Sequence, residues 1–312
     1  MSTLRDALEM YLSVHRSLGT QLQRPGSLLL RFVEFMEGQG AVVINCQLAL
    51  RWATEPIAAT PATWASRLAD VRRFAAWLSA TEPNTEVPPL GLLAHRYRRR
   101  PPYIYSDHEI EQLLDATAEL PSQSGLRAQT YVALFGLIAT TGLRLGEAVG
   151  LDRDDVDLNS GVLAIRRSKF GSSRFVPIHD STCAALKRYA KQRDQLCPRT
   201  SSAAFFLSER GIGVTQCSAR YNFAVVSRVV GLRAPASGYR HGHGPRLHDM
   251  RHRLAAKTLI RWYREGRNVE CELPKLSTYL GHVHIADTYW YIEAIPELLQ
   301  LATLRASREV TP

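Results

Sequence analysis

Arg144, Lys169, His248, Arg251, His282 and Tyr291 are of the types needed to break a phosphodiester. Attack by oxygen on such a phosphate spreads negative charge over its non-bridging oxygens, so catalysis is mostly positioning and electrostatic stabilisation. Fixed cations do this best, and arginine offers a planar fork of donors that stays charged at any working pH. Arg144 and Arg251 are the predicted phosphate clamp. If a side chain replaces water as nucleophile, the phosphate becomes covalently held, and an activated tyrosine hydroxyl can serve. Tyr291 is the predicted nucleophile; its unperturbed pKa near ~10 requires nearby cations or a base to favour loss of the proton. The departing 5′ oxygen needs a proton in return, which a lysine can deliver as general acid. Lys169 is the candidate, with His248 and His282 assisting by hydrogen bonding and proton handling.

The local settings say which elements must hold these groups. Gln129 to Thr140 reads as an apolar helix that Gly142 closes in the left-handed conformation, so that Arg144 begins the next short helix. Val162–Arg167 and Arg174–Pro177 read as strands flanking a turn that carries Lys169. His248 and Arg251 stand at i,i+3 and share a helix face, in a helix predicted from His248 to Arg264. Further helices are expected over Ser181–Gln195, Cys217–Val230 and Pro274–Leu280, and Ser106 followed three residues later by Glu109 has the capping-box pattern. Upstream, helical patterns begin at Leu4, run from Pro25 to Gly38, and start again after Thr60-Pro61. Between these regions lies Arg96-Tyr-Arg-Arg-Arg-Pro-Pro102, basic and punctuated by proline, which reads as an extended, exposed linker.

Each residue also has a plainer interpretation. Arg144 could simply pair with Glu147 as a surface bridge, and a lysine on a β-turn is commonly just solvated. His248 and His252, at i,i+4, could chelate a metal, although the glutamate of the zinc-protease motif is missing. His252 could equally be a group that orients its neighbours or the clamp. Thr288-Tyr289-Trp290-Tyr291 could be an aromatic packing stripe, and Tyr289 competes with Tyr291 as nucleophile.

Taken together, Ala139-Thr-Thr-Gly-Leu-Arg-Leu-Gly-Glu147, Leu247-His-Asp-Met-Arg-His252, Leu280-Gly-His282 and a tyrosine nine residues beyond resemble the boxes of the tyrosine recombinase (phage integrase) family. The resemblance runs from about Ser106 to Ala294; the separation from His282 selects Tyr291 over Tyr289, and the Gly/His-rich approach over 236–245 is unusually long. It implies a fold that is mainly α with a small β-sheet. A helical core-binding (SAM-like) domain would occupy 1–93, a basic linker lying along DNA phosphates 94–105, and an α+β catalytic domain 106–312. It implies a 3′-phosphotyrosyl intermediate, a free 5′ hydroxyl that rejoins a partner strand, and no metal or high-energy cofactor. The family also places its general-acid lysine on the hairpin that here contains Lys169. Implied partners are double-stranded DNA and further protomers in a tetrameric synapse, of identical or related recombinases, with an apolar tail helix over Glu297–Ala306 docking on a neighbouring protomer. The surroundings of Tyr291 look more like element-borne integrases than chromosome-dimer resolvases, pointing to integration, excision or transposition of a mobile element.

Composition agrees. The 39 Lys and Arg against 29 Asp and Glu give a net charge of +10, suited to a polyanionic partner. Only five of the basic residues are lysines, which codon bias in a GC-rich genome and selection for phosphate binding explain equally well. No signal-peptide pattern or long apolar run is present, so no membrane partner is expected, and the five scattered cysteines without a Cys-x-x-Cys pair fit reduced thiols in a cytoplasmic, nucleoid-associated protein. Two other functions use similar residues. A type IB topoisomerase shares the tyrosine chemistry but relaxes supercoils as a monomer, and a DNA-binding accessory protein would use the boxes only to hold phosphate.

Overall fold

A computed structural model describes residues 3–20, 22–93, 101–166, 173–235 and 244–309. The chain divides into two compact units, Met1–Arg99 and Arg100–Pro312. The Lys169 turn (167–172), residues 94–100 of the basic linker and most of the Gly/His-rich approach (236–243) lie outside the described residues.

Helices α1 (Leu4–Ser17), α2 (Gln23–Gly38), α3 (Cys46–Thr54) and α4 (Pro61–Leu78) form the first unit. Their starts follow local chemistry. Thr3 and Asp6 make a reciprocal capping box for α1, and Thr60 caps α4 with Pro61 in the first turn, where a missing N–H costs nothing. The short α3 was not expected; Asn45 caps it by accepting from the Leu48 N–H at 2.8 Å. Phe32, Trp52, Val71 and Phe74 are fully buried among these helices.

In the second unit the Ser106–Glu109 capping box starts α5 (Asp107–Ala118) with both of its hydrogen bonds made. Helix α6 (Leu126–Thr141) is buried on nearly all sides, as its continuous apolar sequence requires. It packs against α5, α8 (Asp180–Leu196) and α10 (Asp249–Arg264). The short α7 (Leu145–Val149) follows α6, and α9 (Gln216–Val229) precedes α10. Strands β1 (Val156–Asp157), β2 (Val162–Ile165) and β3 (Arg174–Pro177) form an antiparallel meander, with Leu163 opposite Val176 and Ile165 opposite Arg174. The period of two puts Leu163, Ile165 and Val176 inward and leaves Phe175 exposed.

The remaining helices, α11 (Val269–Leu280), α12 (Ala286–Ala294) and α13 (Pro296–Glu309), pack with α10 around a second apolar cluster that includes Leu259, Leu273, Leu280 and Leu298. One expectation is corrected here. Helix α11 begins before Pro274, because Asn268 caps it by accepting from the Cys271 N–H, and the proline is tolerated inside it. Past the basic segment 96–102, Tyr105 is buried on the second unit and its hydroxyl donates to the Arg246 carbonyl at 3.1 Å. In this single chain the tail helix is seated on its own unit, with Leu298 fully buried and Glu297 paired to Arg264 at 2.7 Å, while Leu299 and Leu304 are exposed. Among the described residues no helix is long and apolar enough to cross a membrane.

Candidate active site

The site is assembled around the end of α11. Gly281 takes the left-handed conformation (φ 69°), and the His282 N–H turns back to the Ser277 carbonyl at 2.9 Å. This leaves the last carbonyls of the helix without intrahelical partners and at the negative end of its dipole. Three arginines from three different elements fill them in succession. Arg174 Nε donates to Tyr279 O at 2.9 Å, Arg251 Nη2 to Leu280 O at 2.6 Å, and Arg144 Nη2 to Gly281 O at 2.8 Å.

Gly142 performs the matching task at the end of α6. Its φ of 63° closes that helix and presents its carbonyl to Arg251 Nη1 at 2.9 Å. Arg144 is then the residue that caps α7, with its N–H donating to Glu147 Oε2 at 3.0 Å and Nη1 to Oε1 at 2.9 Å. The anticipated Arg144–Glu147 pair therefore exists, but it is no surface bridge. The Glu147 side chain is only 5% exposed and also accepts from Arg174 Nη1 and Nη2 at 3.1 and 2.9 Å. Burial pushes the Glu147 carboxyl upward, but Arg174 and then Arg144 outweigh it and hold the group below the ordinary carboxylate range.

Arg251 is almost wholly buried, and that burial, reinforced by the like charge of Arg144, lowers its guanidinium to about 10. It is still a cation at neutral pH. A buried cation among other cations is a poor contributor to stability and a good receptor for an anion.

The aromatic side of the site lies on α10 and α12. His248, Arg251 and His252, at i, i+3 and i+4, occupy one stripe at the start of α10. Tyr291 is 1% exposed, with its hydroxyl oxygen 3.0 Å from His252 Nδ1. His282 lies beside the phenol ring, with centroids 6.3 Å apart and rings nearly parallel, and its Nδ1 is 2.7 Å from the hydroxyl of the buried Thr288. The rings of His248 and His252 meet edge to face at 4.7 Å. Tyr289, the competing tyrosine, is 42% exposed. Trp290 packs against His252 at 5.6 Å, consistent with the packing role its stripe suggested.

His248 faces a neighbouring cavity of about 710 Å³ whose lining includes Arg144, Arg166, Arg220, Arg233 and Arg246, with Glu147 beneath them. Its lining is strongly cationic, as an anionic substrate demands. The structure thus brings Arg144, Arg251, His282 and Tyr291 around one turn and puts His248 at the cavity beside it; Lys169 lies outside the described residues. Sequence reasoning missed Arg174 and Thr288. Arg174 had a legible signal, an arginine in register with the inward-facing Val176 of a strand otherwise buried on that side.

Comparison with known proteins places these features in context. Residues 104–297 match the phage integrase family. The chain is 45% identical over 312 residues to a protein of Sinorhizobium fredii that carries the name integrase/recombinase y4rB, covering 99% of this chain and 98% of the relative. It is 28% identical to the tyrosine recombinase XerD of Ralstonia nicotianae over 236 residues, 75% of this chain and 69% of that one. In fold it resembles the Tn1549 transposon integrase, solved in complex with transposon right-end DNA, with a TM-score of 0.67 at 15% identity over 98% of this chain and 99% of the other.

Proposed function

The chain belongs to the phage integrase family and is a tyrosine-type site-specific recombinase, and from that premise we propose that Tyr291 is the nucleophile that cuts and rejoins duplex DNA. Attack of the phenol on the scissile phosphate forms a 3′-phosphotyrosyl bond and expels a 5′ oxygen, which later attacks that bond from a partner strand. Arg144 and Arg251 bind the phosphate and stabilise its charge, His248 and His282 hydrogen-bond it and handle protons, and Lys169 protonates the leaving oxygen. The positive charge that a metal supplies elsewhere comes from guanidinium groups, so the reaction runs without a metal or cofactor. The partners are double-stranded DNA and other recombinase protomers in a tetrameric synapse. The biological setting is integration, excision or transposition of a mobile element, in the cytoplasm at the nucleoid.

The observation that carries this reading is the convergence of Arg144, Arg174 and Arg251 on the carbonyls of 279–281, with His282 next in the chain and its ring beside that of Tyr291. A nicked suicide substrate tests it. Wild-type protein and Tyr289→Phe should accumulate a covalent protein–DNA adduct, and Tyr291→Phe should form none. Adduct formation by Tyr291→Phe would overturn the assignment. On a supercoiled circle bearing two sites, exchanged junctions are expected; relaxed circles alone would indicate a topoisomerase.

A further inference from the structure

Tyr291 must lose its proton as it attacks, and the stripe on α10 brings a specific group to the hydroxyl. His252 Nδ1 is 3.0 Å from the phenol oxygen, a hydrogen-bond distance, and both residues are buried. The arrangement is held from several sides. His252 follows Arg251, whose two backbone-carbonyl bonds pin the start of α10, while the edge of His248 at 4.7 Å and the ring of Trp290 at 5.6 Å confine the imidazole. Phenol and imidazole centroids stand 5.4 Å apart with the rings tilted at 60°, and Nδ1 lies 3.0 Å from the hydroxyl oxygen.

We propose that His252 is a further catalytic residue, the general base that accepts the Tyr291 proton through Nδ1. The proposal rests on Tyr291 as the nucleophile. The step balances without any added reagent. The Oη–H bond of Tyr291 breaks and its proton moves to His252 Nδ1; the Oη–P bond forms as the P–O5′ bond breaks, and the leaving oxygen takes a proton from the Lys169 ammonium. Rejoining runs in reverse: the 5′ hydroxyl returns its proton to Lys169, attacks phosphorus, and the departing phenolate recovers its proton from the imidazolium. For Nδ1 to accept, the resting imidazole carries its proton on Nε2.

The test is single-turnover formation of the covalent adduct on the nicked substrate at saturating DNA, with full-length protein. His252→Ala should slow adduct formation by roughly 10²–10³-fold, within the range for loss of a general base, with DNA binding retained. His252→Asn offers an amide close to the position of Nδ1, which can hold the hydroxyl but cannot take its proton, so it should remain comparably slow. Replacing Tyr291 by a fluorinated tyrosine, whose phenol is more acidic, should recover much of the lost rate in His252→Asn and little in wild type. Recovery of wild-type rate by His252→Asn with ordinary tyrosine would overturn the base and leave only a positioning role. Failure of the fluorinated tyrosine to narrow the gap between wild type and His252→Asn would overturn it too, and this comparison holds even if His252→Ala does not fold. Adduct formation by Tyr291→Phe would instead reject the nucleophile itself, so the two failures are distinguishable.

Discussion

The interior of the first unit is aliphatic and aromatic around Phe32, Trp52 and Phe74, and its buried carboxylate, Asp70, pairs with the exposed Arg73 of the same helix. In the second unit Asp249, Arg251, His252 and Thr288 are all buried within a short distance of one another along α10 and α12. Burying polar and charged groups weakens a core unless their hydrogen bonds are complete, and even then apolar replacements are often as stable. What distinguishes the second unit is that two of its buried polar groups meet a helix end and a phenol, Arg251 at the Gly142 and Leu280 carbonyls and His252 at the Tyr291 hydroxyl. On the proposed function, one region is built for stability and the other accepts a less favourable interior for chemistry.

That contrast can be broken most forcefully from the first unit. Phe74→Ala removes a fully buried ring and should cost about 3–5 kcal/mol of stability, read by thermal or denaturant unfolding. Its single-turnover adduct rate at saturating DNA and low temperature should match wild type; a large change in that rate would show that the first unit shapes the chemistry. The complementary change is Arg144→Gln. Here the adduct rate should fall by about 10²–10³-fold, as for loss of one stabilising donor to a developing oxyanion, beyond whatever stability is lost as the buried Glu147 loses one of its two arginine partners. A large stability loss with unaltered rate would make Arg144 a structural bridge to Glu147 and nothing more.

The two glycines of the site sharpen the comparison at smaller scale. Both take a positive φ, so alanine is strained at either by roughly 1 kcal/mol. The neighbours differ. A Cβ on Gly142 would come within 2.9 Å of the Leu254 Cδ2 atom, the end of a flexible side chain, whereas one on Gly281 would come within 2.6 Å of Arg174 Nη1 and 2.7 Å of its Cζ. Gly281→Ala should therefore lower the adduct rate more than Gly142→Ala at similar loss of stability. Equal rate losses would mean that Arg174 does not matter to the site.

These cases also show what could be read from the sequence. The Gly142 helix closure, the Ser106 capping box and the β2–β3 strands were legible because each depends on residues within a few positions of one another. So was the shared face of His248 and Arg251, which follows from helical periodicity. What was hidden is what brings distant residues together. Arg144, Arg174 and Arg251 meet on consecutive carbonyls only because the turn between α6 and α7, β3 and α10 all reach the end of α11, and backbone carbonyls carry no residue signature. Helix α12 was missed as a helix because Tyr, Trp and Thr have modest helix propensity, and packing against α10 and α13 decides its state. The burial of Tyr105 escaped for a related reason: its basic, proline-rich neighbourhood suggests exposure, while its partner, the Arg246 carbonyl, lies far along the chain.

The smallest expected effect concerns Glu147, which belongs to the chemical region yet acts through stability. Its carboxyl sits below the ordinary range in the folded chain, chiefly through Arg174 and Arg144 overcoming burial. The folded state therefore holds this proton less tightly than the unfolded state. The stabilisation is complete above the unfolded value, roughly 4.3, and is lost as pH falls through the lower folded value. Glu147→Gln cannot titrate there, so its melting temperature should start below wild type at pH 7 and fall less steeply between pH 5 and pH 3, both in roughly the range where carboxylates protonate. Arg144 and Arg174 keep their charge across that window, so the difference in slope reports the carboxylate alone. Parallel curves for the two proteins would mean that Glu147 is not tuned by its arginines. The acid-side stability would then come from other carboxylates.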